Sequence, residues 1–266
     1  MTNHTPQPRV TVRVSKNSLS FSVIDSEAEH QVIFEPYNVK SGVSAAANLR
    51  QAFHESELLQ RGYRKARLLI DSPVMLVPVQ QFDERQKDDL YHYTFEAVKS
   101  DAILHRVQPS MENVAIFPVN KDLKLVMEDN FSDVRFTPLL QPVWNHLHQR
   151  SFVGVNRKLY AYFHEGKVDI MAFEKNRARF LNTYTAPHTK DAIYFILYVW
   201  KTLAMDQRKD EFFAMGNIPE KDVLMDSIRK YVLRSFYLSP AAEFNRAPVT
   251  EIKNMPFDLL SLYLSK

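Results

Sequence analysis

An order of short alternating strands and one helix runs through the first seventy or so residues and returns, element for element, in the second half. A repeat of that size limits the fold more than any single motif does. In the first half, V-T-V-R-V (10–14) leads through S-K-N-S into L-S-F-S-V-I-D and then H-Q-V-I-F-E-P-Y, three runs with alternating apolar residues in hairpin order. After Ser41 and Gly42, V-S-A-A-A-N-L-R-Q-A-F-H-E-S-E-L-L-Q-R places Ala46, Leu49, Phe53 and Leu58 near helical spacing. That predicts a helix of about four or five turns ending at Gly62, followed by the buried-type strand A-R-L-L-I-D. In the second half R-K-L-Y-A-Y-F-H (157–164) turns at Glu165 and Gly166 into K-V-D-I-M-A-F, and E-K-N leads into R-A-R-F-L-N-T-Y-T. A helix is predicted from about 189 to 205, capped by Thr189 with Asp191 in its first turn. E-F-F-A-M-G-N-I-P then occupies the place that R-L-L-I-D-S-P holds in the first copy. The expectation is an α/β chain with a duplicated β-β-β-α-β unit, its first lobe at 1–150 and its second at 151–266.

The stretch between the copies, about 72–150, is not a linker. V-M-L-V-P-V-Q, D-A-I-L-H-R-V and N-V-A-I-F-P-V have strand character, and D-E-R-Q-K-D-D-L-Y-H-Y-T-F reads as a helix between them. K-D-L-K-L-V-M-E-D-N-F and L-L-Q-P-V-W-N-H-L-H add helices around the strand V-R-F-T-P.

With 266 residues, 45% of them hydrophobic, the chain can bury a sizeable core. Its 34 basic and 31 acidic residues nearly balance, so any basic patch must be local. The lack of cysteine excludes disulfides and thiolate metal sites and points to the cytoplasm. The N-terminus M-T-N-H-T-P-Q-P-R-V has no apolar signal core, and the apolar run 192–200 is far shorter than the roughly 20 residues of a membrane span. No membrane insertion is expected.

Five isolated glycines, Gly42, Gly62, Gly154, Gly166 and Gly216, leave no Gly-x-Gly and no phosphate-cradling loop of the G-x-x-x-x-G-K-[ST] type. That pattern speaks against a dinucleotide site and against a P-loop.

The duplicated unit with elements inserted between its copies, over about residues 10–237, resembles the actin-like ATPase superfamily, a ribonuclease H-like two-lobe fold. More narrowly, the chain is similar to the bacterial group labelled domain of unknown function 3822. The resemblance implies ATP in a cleft between the lobes, phosphate hairpins with an Asp followed two residues later by Gly, and a paired-glycine turn at the adenosine. In the first hairpin Ser15, Lys16 and Asn17 stand where the acid and glycine belong, so no carboxylate is there for hydrated magnesium. In the second, His164, Glu165 and Gly166 supply one carboxylate and one glycine without that spacing, and Glu165–Gly166 also reads as an ordinary hairpin turn. At the third site Met215, Gly216 and Asn217 keep one glycine of two, with Asn217 tolerant of a left-handed backbone. Pro219 suits the first position of the next helix, Glu220 and Asp222 its first turn, and Arg229 and Lys230 its far end. Those acids repel a phosphate. Gly216, Asn217, Glu165 and Gly166 are therefore read as a vestigial nucleotide cleft, with no catalytic residue, no metal and no cofactor expected. Bound ATP is the alternative.

Other constellations have two readings. His146 and His148 would share a face on a strand and suit zinc, but their segment reads as a helix, where they diverge. Asp71 closes a buried-type strand, where catalytic carboxylates often stand, yet D-S-P opens a turn. R-G-Y-R-K-A-R (61–67) could meet nucleic acid or acidic lipid, or form a solvated loop; the loop is favoured. On the helix at 189–205, Ile193, Ile196, Leu197, Trp200 and Leu203 form a core stripe, while Tyr194, Phe195, Tyr198 and Val199 make the other face apolar too. Either the C-terminal F-D-L-L-S-L-Y-L or the linking segment covers that face, or it docks a partner. The reading as a whole is a cytoplasmic actin-like protein without ATPase activity that acts on a protein partner or a second copy. The alternative is a nucleotide-binding switch or ATP-dependent enzyme with an atypical inter-lobe site.

Overall fold

Alternation decides which side of the first sheet becomes core. The computed structural model describes residues 8–95, 101–174 and 177–265, so part of the expected E-K-N turn and most of the polar N-terminal stretch lie outside the described residues. Strands β1 (Arg9–Val14), β2 (Leu19–Ile24) and β3 (Val32–Tyr37) form an antiparallel meander. Helix α1 (Ala45–Glu55) follows, and β4 (Lys65–Ile70) returns parallel to β1.

An insertion then carries β5 (Met75–Pro78), α2 (Lys87–Thr94), β6 (Asp101–Gln108) and β7 (Asn113–Asn120). Its three strands make their own sheet, β5-β7-β6, with Tyr91 of α2 buried against Val77, Ile103 and Ile116. Helix α3 (Lys121–Asn130) leads into β8 (Asp133–Pro138), which completes the order β3-β2-β1-β4-β8.

Val10, Val12, Phe21, Ala66 and Leu68 project to one side and pack with Leu49 and Ala52 of α1 and Leu123 and Met127 of α3. Burying each large apolar chain of this set contributes about 1.5–3 kcal/mol. The opposite side holds Thr11, Arg13, Ser20 and Ser22, whose partners across the ladder are Arg67, Leu69, Arg13 and Thr11 respectively.

Helix α1 is shorter than its apolar spacing predicts. Ser44 caps it, its Oγ accepting from Ala47 N at 3.2 Å, but the chain leaves the helix at Ser56. There the Ser56 Oγ accepts from Leu59 N and the Glu35 carboxylate accepts from Leu58 N at 3.0 Å, local bonds that replace another helical turn. A single 3₁₀ turn at Leu59–Arg61 follows, closed by Gly62 at φ +74°.

The second half repeats the plan. After α4 (Gln141–Ser151), β9 (Lys158–His164), β10 (Lys167–Glu174) and β11 (Arg177–Thr185) form the meander, and α5 (Thr189–Thr202) crosses to β12 (Glu211–Gly216). Helix α6 (Lys221–Arg229) leads to β13 (Arg234–Tyr237), giving β11-β10-β9-β12-β13, the same order with the same senses. The short α7 (Pro240–Glu243) and α8 (Phe257–Leu264) end the described chain. Leu159, Ala161, Phe163, Phe212 and Ala214 face α5 and α6, while α4 and α8 lie on the other side, through His148 against Phe173 and Phe257 against Tyr162. Contacts divide the chain into two compact units, 1–141 with 251–253, and 142–250 with 254–266, each holding one five-stranded sheet.

Two helix starts differ from expectation. Thr189 is the first residue of α5 and not its cap, which is His188; the Thr189 hydroxyl donates instead to Pro219 O at 3.3 Å. Helix α6 begins at Lys221 with Glu220 as its cap at φ +43°, so Pro219 lies before the helix, and only Asp222 of the two acids is in its first turn.

Candidate functional site

Parallel pairing of β9 with β12 brings two of the expected site segments, Glu165–Gly166 and Gly216–Asn217, to one sheet end. Glu165 and Gly166 form the two-residue turn between β9 and β10 with φ of +46° and +72°, the mirror-image geometry that matches strand twist. Gly166 O accepts from Ala186 N at 2.8 Å, which pins the turn to the end of β11. One strand away, Gly216 lies opposite Phe163, and Asn217 N donates to Phe163 O at 2.9 Å. Gly216 takes a positive φ of +91°, and a Cβ there would meet Phe163 O at 2.2 Å and the Tyr162 ring at 2.8 Å. Asn217 does not adopt the left-handed conformation. The glycine thus has a reason to be present in the chain itself: close approach of two parallel strands.

Beneath this edge runs a polar strip that sequence reasoning missed. The buried Asp169 accepts from Thr183 Oγ1 on one oxygen and pairs with His164 Nε2 at 2.7 Å on the other. The Tyr162 ring stacks on His164 at 5.0 Å, and its hydroxyl donates to the fully buried Asp258 of α8 at 2.8 Å. With both Asp169 oxygens engaged, this set braces the hairpin. The signal was there: in K-L-Y-A-Y-F-H every second residue, Lys158, Tyr160, Tyr162 and His164, carries a polar tip on the face toward α8.

Farther along the same face, Glu243 of α7 accepts from Arg150 at 2.8 Å and pairs with His146 Nε2 at 2.8 Å. Burial pushes the Glu243 carboxyl up, but the His146 hydrogen bond and the Arg150 charge outweigh it, and the carboxyl is held below its usual range. His148 points elsewhere, against Phe152 and Phe173, so the two histidines diverge on α4 as the helical reading requires. At the start of β9 the buried Lys158 ammonium donates to the carbonyls of Val153 and Asn156, and burial pulls its pKa down.

The first unit's hairpin turn is built from hydroxyls. Ser15 and Ser18 hold each other at 2.7 Å, and Arg13 Nη1 donates to Ser18 Oγ at 2.8 Å. Beside it lies a concavity of about 220 Å³ lined by Lys16, Asn17, Lys40, Ser41 and Asn48 among others, with no carboxylate in its wall. The Asn48 amide shapes the far side, accepting from Lys40 N at 2.8 Å and donating to Val43 O at 3.1 Å. Asp71 N extends the β1–β4 ladder by donating to Val14 O at 2.9 Å. The basic stretch 61–67 is only partly a loop: Lys65, Ala66 and Arg67 belong to β4. Among the described residues, no group of three or more His, Asp or Glu is placed to hold a metal ion, and no helix is long and apolar enough to cross a membrane.

Helix α5 turns Ala192, Ile196, Val199 and Trp200 into the core but leaves Tyr194 63% and Tyr198 53% exposed. Their rings stack at 6.1 Å, and Phe195 stacks on Tyr184 beside them at 4.3 Å. The cover expected from the C-terminal F-D-L-L-S-L-Y-L is not there, because α8 packs on the opposite side of the sheet, against Tyr162.

No curated protein matches the chain. Among solved structures, a Bacteroides thetaiotaomicron protein with an actin-like ATPase fold and unknown function matches with a TM-score of 0.81 at 25% identity, over 93% of this chain and 98% of that one. The PilM-PilN type IV pilus biogenesis complex matches with a TM-score of 0.57 at 11% identity, over 96% and 97%, a likeness of fold alone. The repeated sheet order and these neighbours together make the fold actin-like, as the repeat in the sequence implied. Residues 1–234 match the family described as Protein of unknown function (DUF3822), and with a match over most of its length the chain belongs to that family.

Proposed function

We propose that this is a cytoplasmic actin-like scaffold that binds another protein, or a second copy of itself, without hydrolysing ATP. The observation that carries the reading is the stacked, exposed Tyr194–Tyr198 pair on α5. Tyrosines lose few rotamers on binding and are among the anchors that dominate interfaces. The first hairpin supports the lack of hydrolysis, since Ser15, Lys16, Asn17 and Ser18 offer hydroxyls and a cation but no carboxylate for a hydrated magnesium. In this reading Gly216, Asn217, Glu165 and Gly166 are the remnant of a nucleotide cleft, kept because two strands and a hairpin need them. The PilM-PilN complex is an example of the fold in a complex, so the reading is one the fold admits.

Titration calorimetry with ATP and magnesium is expected to give no binding in the micromolar range. Sedimentation of the wild type is expected to reveal self-association that Tyr194→Ala with Tyr198→Ala removes; a monomeric wild type assigns the surface to a different protein. Micromolar ATP binding would sink the scaffold reading in favour of a nucleotide-binding switch built on the atypical site.

A further inference from the structure

The first unit carries a cluster of cations of its own. On the sheet face opposite α1 and α3, Arg9 lies beside Lys65, Lys65 beside Asp133, and Arg135 follows two residues along the edge strand β8. Arg9 clamps Asp133 with both terminal nitrogens, Nη1 at 3.1 Å from Oδ1, and Nη1 also donates to Ala66 O at 2.7 Å. On β6 of the inserted sheet, the half-buried Arg106 is near enough to Arg135 and Arg9 to feel their charges. Burial, and then the charges of Arg135 and Arg9, hold its pKa below the usual guanidinium range. Asp133 is held low by the Arg9 hydrogen bond and by the charges of Arg9, Arg135 and Lys65. With Arg67 opposite Arg135 on the same face, five cations gather around Asp133, and among the described residues no ion pair joins Lys65, Arg106 or Arg135 to an acid.

Gathering like charges while half-burying one of them works against folding. From these positions we infer that the cluster of Lys65, Arg106 and Arg135 docks an acidic segment of a partner protein, whose carboxylates complete the pairing that Asp133 begins. Asp133 already demonstrates that the face receives a carboxylate in a guanidinium fork. Alternate residues of an extended segment are about 6.7 Å apart, the spacing of residues 133 and 135 along β8. Nucleic acid fits less well, because the neighbouring rings Tyr63 and Phe136 pack against the apolar core. The inference rests on the protein-binding reading but on a different surface.

The test uses the full chain and a short fluorescein-labelled peptide of alternating Glu and Ser, followed by anisotropy. The peptide is expected to bind, more weakly as salt rises, and Arg106→Gln and Arg135→Gln are each expected to weaken it about tenfold. Arg106→Gln is expected to melt no lower than the wild type, since it relieves repulsion; a clear drop in melting temperature would assign Arg106 a structural role and overturn the inference. So would undetectable peptide binding, unchanged affinity in both variants, or tighter binding of a single-stranded RNA of equal length. Tyr194→Ala is expected to leave peptide affinity unchanged, and ATP binding would count against the scaffold reading alone, so the two readings fail separately.

Discussion

Replacing Gly216 by alanine is expected to cost the second unit about 3–6 kcal/mol, although the change adds a single methyl group. The positive φ of +91° is one that a residue with a Cβ adopts at a penalty of about 1–2 kcal/mol. The methyl would lie 2.2 Å from a backbone oxygen, Phe163 O, and 2.8 Å from the Tyr162 ring. A backbone atom cannot swing aside, so β12 must withdraw from β9. That loosens the Asn217 N–H bond to Phe163 O, about 1 kcal/mol, and adds overpacking strain of about 1–3 kcal/mol. At about 2–4 °C per kcal/mol for a chain of this size, the melting temperature falls by on the order of 10 °C. Calorimetric scans of the full chain measure it, with Gly166→Ala as the control. That position has a similar positive φ of +72° but nothing within 4 Å of the added methyl, so only the backbone penalty remains. If the two variants melt together, the close approach of β9 and β12 does not explain the glycine, and a ligand becomes the better account of it.

Glu243→Ala is expected to destabilise by about 3 kcal/mol, because it leaves Arg150 and His146 without the carboxylate between them in a site where the Glu243 side chain is 6% exposed. The Glu243 carboxyl is held low in the folded state, so its contribution is fully present above the ordinary value of 4.5 and is lost as pH falls through the folded pKa. Acid titration of stability should therefore be shallower in Glu243→Gln than in the wild type; parallel curves would contradict it. Tyr194→Ala with Tyr198→Ala is expected to change stability by no more than about 0.5 kcal/mol per site, as exposed positions do, and a large loss on denaturant unfolding would make the pair structural.

The repeat was legible because it is written in periodicities that burial enforces. Val10, Val12 and Val14 alternate with polar residues since one face of β1 meets α1 and α3, and Ala161 and Phe163 alternate with tyrosines for the same reason in β9. What the pattern could not convey is which end of a helix a single side chain serves. Thr189 looked like a cap, yet its hydroxyl reaches Pro219, thirty residues away, and Glu220 took the cap by adopting a strained backbone. Ser56 stopped α1 through bonds to Leu59 and with help from Glu35 on another strand, a partner that no local window contains. The polar strip escaped for a related reason: Asp258 and Tyr162 are 96 residues apart, and only the docking of α8 makes their pairing visible. Site residues fared unevenly. The hairpin at Glu165–Gly166 follows from turn chemistry, whereas the constraint on Gly216 comes from a neighbouring strand and is silent in sequence.

The matching sheet orders have a kinetic consequence. In both sheets the first three strands pair locally, and the last two arrive by crossover. In the second sheet β13 begins soon after β12 ends, so the closing strand is near at hand. In the first, β4 must wait for β8 across the whole insertion, and loop-closure entropy makes that wait about 1 kcal/mol more costly. Until then β4 is an open edge, the kind of surface through which chains mispair. An inserted three-stranded sheet that folds early would shorten the effective loop and act as a staple that delivers β8 to β4. Pulse-labelled hydrogen exchange during refolding should show amides of β12–β13 protected before those of β4–β8, and a core disruption such as Ile116→Ala should slow the first sheet while sparing the second.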